Sequence, residues 1–67
     1  MDFQGKLRLA INIAINKKGK ERGAISMLAK SIGVSRQRID NALKTNAQYG
    51  AAGFEQKIDA FIVLNQN

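Results

Sequence analysis

Arg36, Gln37, Asp40, Asn41 and Lys44 are the side chains whose types and spacing could do chemistry in this chain. That chemistry would be recognition. A guanidinium makes a two-pronged contact to guanine, the amides of Gln and Asn pair with adenine, and a carboxylate accepts from cytosine N4. Each such pair discriminates between bases by about 1–3 kcal/mol. Lys44 suits a phosphate better than a base. Asp40 has a second reading, preferred here: an ion pair with Arg36 or Lys44, each four residues away on a helix.

The segment that must position these groups is ISMLAKSIGVSRQRIDNALK, Ile25 to Lys44. Ile25, Leu28, Ala29 and Ile32 lie at i, i+3, i+4 and i+7, which predicts a helix over about 24–32. Gly33 suits the left-handed residue that ends it. Ser35 is a good N-cap for a further helix, and Val34 and Ile39 stand at the N′ and N4 positions of a hydrophobic staple. In that helix Ile39, Ala42 and Leu43 point inward. Gln37, Asp40, Asn41 and Lys44 point outward, and Arg36 sits at the N-terminal tip. Two short helices joined at a glycine are the layout of a helix-turn-helix that reads double-stranded DNA through the major groove.

Size and charge narrow the alternatives. Sixty-seven residues make one domain, near the lower limit for folding on a single core. The hydrophobic fraction of 45% argues against disorder. The chain has no proline, tryptophan, histidine or cysteine, so a disulfide framework, a thiolate nucleophile and a Cys/His zinc site are excluded. With no histidine, few carboxylates and too little chain to build a cleft, an enzyme is not expected, nor is a cofactor or metal. No apolar run approaches the ~20 residues that span a bilayer, and no signal-peptide pattern opens the chain. A soluble intracellular protein is the expectation.

The net charge is +6, and it is unevenly spread. Lys6 to Lys44 holds ten basic residues against Glu21 and Asp40, whereas Thr45 onward holds only Lys57 against Glu55 and Asp59. Such asymmetry suits a polyanion. Lys17, Lys18, Lys20 and Arg22 are the best phosphate candidates outside the motif, and Lys30 is a weaker one. Ser35, first of all a cap, could also meet a phosphate. Arg38 lies nearer the flank, open to solvent or to the backbone of a nucleic acid.

The flanking elements are less sharply written. From Phe3 to Lys18, the residues Phe3, Leu7, Ala10, Ile11, Ala14 and Ile15 gather on one helical side. Leu7, Leu9, Ile11, Ile13 and Ile15 also alternate as a strand would. Helix is preferred because it brings both alanines into the apolar stripe, leaving Leu9 and Ile13 as a second strip. The run KKGKERG, 17–23, reads as a loop or frayed helix end, punctuated by Gly19 and Gly23. Thr45 to Gly53 reads as a connector that could hold a short helical turn. A last helix from about Phe54 puts Phe54, Ile58, Phe61 and Ile62 on one face, although its AFIVL end could form a strand.

On these residues the chain resembles the Cro/lambda-repressor-type transcription regulators. With Ile25 as the first motif position, Ala29 falls on the family's small residue at the helix–helix contact and Gly33 on its turn glycine. Leu28, Ile32, Val34, Ile39 and Ala42 fall on its buried positions, and FEQKIDAFIVL, 54–64, looks like its closing helix. Two departures stand out. Gly23, Ala24 and Ile25 replace a Ser/Thr cap followed by Gln, and the connector at 50–53 lacks the proline frequent in relatives. The resemblance implies an all-α domain of four to five helices. It also implies a repressor of the small phage Cro-like kind, acting as a dimer on a palindromic operator in the cytoplasm of a bacterium or phage-infected host. Half-sites would lie about one helical turn, ~34 Å, apart. The surplus apolar residues Leu9, Ile13, Phe61, Val63 and Leu64 are candidates for a dimer contact, or else pack inside the monomer. The rival readings are a basic RNA-binding module, a helical protein-interaction domain, and an amphipathic membrane-surface protein.

Overall fold

The computed structural model describes residues 2–46 and 52–65. Four helices run through them: α1 (Phe3–Lys18), α2 (Ala24–Ile32), α3 (Arg36–Lys44) and α4 (Ala52–Leu64), with no strand among the described residues. The alternating readings of the first and last segments therefore give way to helix. Of the connector from Thr45 to Gly53, residues 47–51 lie outside the described residues.

Local chemistry sets each boundary. The Asp2 carboxylate accepts from the Gly5 N–H at 2.8 Å and starts α1. Gly19 ends it in the left-handed conformation, donating its N–H to the Ile15 carbonyl, with Lys17 and Lys18 in the last turn where negative partial charge collects. At Gly33, φ is +76°, and the Val34 N–H reaches back to the Ala29 carbonyl at 3.0 Å. That closes α2 with the six-to-one bond of a Schellman motif. Two residues later the Ser35 hydroxyl accepts from the Arg38 N–H at 3.2 Å and opens α3.

Packing builds one core with α2 at its centre: α2 touches α1, α3 and α4, and α1 also packs along α4. Each helix contributes one large side chain fully withdrawn from solvent, Leu7, Leu28, Ile39 and Ile58 in turn. Around them lie Phe3, Phe54, Phe61 and Ile62 and the small residues Ala10, Ala14, Ala24 and Ala29, which let backbones approach closely. Burying one leucine- or isoleucine-sized side chain contributes about 1.5–3 kcal/mol, so these four are a large share of what orders a chain this small.

α1 and α4 run in the same direction. Phe3 meets Phe54 edge to face at 5.5 Å, Lys6 reaches Asp59 at 3.2 Å and Glu55 at 3.6 Å, and Lys17 donates to Asn65 at 2.6 Å. No helix among the described residues is long and apolar enough to cross a membrane.

Candidate nucleic-acid interface

Helix α3 is amphipathic in a way that fixes which residues can face a ligand. Ile39 is completely buried, Ala42 and Leu43 are half-buried, and Arg36, Gln37, Asn41 and Lys44 are exposed on the other side. Among the described residues, the side chains of Gln37, Asn41 and Lys44 make no hydrogen bond or ion pair with the rest of the protein. Their polar groups stand unengaged on the outer face.

Arg36 and Asp40 do interact. The guanidinium approaches the carboxylate at 3.5 Å, one turn apart on α3, with both side chains largely in solvent. Of the two sequence readings of Asp40, the ion pair is the one present. A pair of this kind contributes about 0.2–0.5 kcal/mol, so either group can be drawn away by a stronger partner.

One basic residue of the α1–α2 loop, Arg22, sits close to this end of α3. Arg22, Gly23, Ser26 and Arg36 line one open depression of about 240 Å³, with Glu21 and Ile25 completing it. Arg22 and Arg36 thus line one concavity together with Glu21. Lys18 lies beside Gly23, and Lys20 and Arg22 are exposed. Lys17 is exposed too, with its ammonium held by Asn65. Lys30 projects into solvent from α2.

Arg38 is not merely solvated. Its guanidinium lies 5.0 Å from the centre of the Phe54 ring, a cation–π contact that joins the flank of α3 to the start of α4. Beside it, Gly33, Val34, Ser35, Arg38, Phe54 and Lys57 line an open pocket of about 310 Å³. Lys57 was not among the residues singled out by the sequence, because it is the one base in an otherwise acidic last third. Only its placement on α4, spaced one turn from Phe54, would have pointed to it.

Lys6, half-buried, is paired with two acids of α4, Asp59 and Glu55. The hydrogen bond to Asp59 and the nearby charges of Asp59 and Glu55 raise its pKa above the ordinary lysine value, against a smaller lowering by desolvation. Exposed cations lie on the α1–α2 loop and α3 and also at Arg8, Lys30 and Lys57, while Glu55 and Asp59 of α4 pair with Lys6 of α1.

The surplus apolar residues divide. Phe61 is buried in the core at 7% exposure, so it is not free for a second copy, and Leu9 and Ile13 are half-buried against the same core. Val63 and Leu64 remain exposed, at 66% and 80%. Phe61 is covered because α4 packs on two neighbours, α1 and α2, and so buries a wider face than one stripe.

No known protein family, curated protein or solved structure matches this chain.

Proposed function

We propose that the chain is a sequence-specific double-stranded-DNA-binding regulator of the helix-turn-helix kind, with α2 and α3 as the motif and α3 as the helix that enters the major groove. The observation that carries this reading is the outer face of α3. Gln37 and Asn41 offer unengaged amides and Arg36 a weakly held guanidinium, above an Ile39 anchor that fixes the helix to the core. The cations of the α1–α2 loop would meet phosphates to one side, supplying affinity that falls steeply with salt.

The aromatic residues the structure describes favour a duplex over single-stranded RNA. Phe3, Phe54 and Phe61 are all buried, so none of these three offers a face on which an unpaired base could stack, and Tyr49 lies outside the described residues. A module this small gains specificity by binding as a dimer to a palindrome, with Val63 and Leu64 as the apolar residues still open for contact. It would act without enzymatic chemistry, repressing by occupying a promoter. Selection from random duplexes followed by footprinting tests the reading. The expected outcome is a defined, two-fold symmetric site. Recovery of no consensus, or tighter binding to single-stranded RNA than to any duplex, would refute it.

A further inference from the structure

We propose that the pocket between the α2–α3 turn and α4 is a phosphate subsite, and that in the complex inferred above it holds one backbone phosphate of the duplex. The inference rests on that reading of α3 and adds Lys57 to it.

Three observations converge. The first is charge. Arg38 and Lys57 are the charged residues of the pocket lining, and both are cations. The acids nearest in sequence to Lys57, Glu55 and Asp59, are engaged by Lys6 of α1, and Asp40 is engaged by Arg36. α4 therefore sorts its charges, acids toward α1 and its base toward the turn.

The second is placement. The Phe54 ring under the Arg38 guanidinium is itself fixed, 5% exposed and packed edge to face on Phe3. Among the described residues the Arg38 side chain makes no hydrogen bond or ion pair, so its guanidinium N–H donors remain for a two-pronged phosphate contact. Lys57 would add a point charge on a flexible stem.

The third is the hydroxyl of Ser35. It accepts from the Arg38 N–H, so its own proton remains available to donate to a phosphate oxygen. The pocket volume of about 310 Å³ is at the lower end of the range for ligand sites, about 300–1,000 Å³. Because Ser35 and Arg38 belong to the cap and first turn of α3, a phosphate held there would set the register of that helix in the groove. Setting register is what phosphate contacts do in such interfaces.

The test is duplex binding by the full chain as a function of salt. Lys57→Ala removes an exposed side chain that makes no hydrogen bond or ion pair among the described residues, and far-UV circular dichroism checks that the variant folds. It should lower the salt slope by about one, and the affinity about eightfold near 0.1 M salt, equally for all sequences. Arg38→Lys, which keeps the charge but loses the stacked fork, should weaken binding with little change of slope. Arg8→Ala, which removes an exposed cation of α1 outside the pocket, is the control.

An unchanged slope for Lys57→Ala, or an equal fall for Arg8→Ala, would overturn the subsite. The reading of α3 would still stand if Arg36→Ala altered sequence preference. Absence of any duplex binding would remove both. Titration with inorganic phosphate is the second arm: saturable shifts at Ser35, Arg38 and Lys57 without a change in duplex slope would assign the pocket to free phosphate and refute the backbone assignment.

Discussion

The side-chain amide of Gln4 donates to the backbone carbonyl of Ala42 at 2.9 Å, tying the first turn of α1 to the last turn of α3 across 38 residues of sequence. The final carbonyls of a helix lack partners within it. Gln4, at 8% exposure, supplies one from another helix, and so fixes the far end of α3 as Ile39 fixes its middle.

Gln4→Leu keeps the volume and removes the donor, leaving that carbonyl unmet. The expected loss is about 1–3 kcal/mol of unfolding free energy, measured by urea denaturation. A variant as stable as the parent would show that water replaces the amide without cost.

Gly33→Ala tests the turn. A Cβ there would meet nothing within 4 Å, so the whole effect comes from φ at +76°, a conformation that costs a side chain about 1–2 kcal/mol. Gly33→Asn should cost less than alanine, because asparagine tolerates that region. Equal losses for both would point to packing as the cause.

Lys6 gives a signed pH dependence. Its pKa is raised in the folded state, chiefly by the hydrogen bond to Asp59, so its stabilising contribution is complete below the ordinary lysine value of 10.5. That contribution is lost as the pH climbs through the higher folded value. The stability gap between the parent and Lys6→Gln should therefore be constant through neutral pH and close as the pH rises above 10.5. A gap that widens at alkaline pH would contradict the assignment.

Arg36→Ala and Lys20→Ala separate reading from holding. Losing a base contact at Arg36 should cost about 1–3 kcal/mol on the preferred site and relax the preference at one position. Losing Lys20 should weaken all sequences alike and reduce the salt slope by about one. If both variants kept the parent affinity on the selected site, α3 would not be the reading helix.

The helices were legible where their ends are set locally. Gly19, Gly33 and Ser35 are residues whose conformational or capping preference acts within a few positions, and α1 and α2 end, and α3 begins, where those preferences put them. The outward set on α3 was legible for the same reason, since a single buried Ile39 orients the whole wheel. Pairings between distant segments were not. The bond from Gln4 to Ala42, the clamp of Lys6 on Asp59 and the stacking of Arg38 on Phe54 depend on how helices are placed, which no local pattern encodes. Phe61 illustrates the gap. Periodicity gives a helix its inward direction but not the width of the face it buries, and α4 faces two neighbours.

Among the described residues, the side chains of Gln37, Asn41 and Lys44 have no structural duty within the fold. Substitution at these three exposed positions should therefore carry little folding penalty. The same independence makes this surface suited to combinatorial randomisation, with the four-helix framework left untouched.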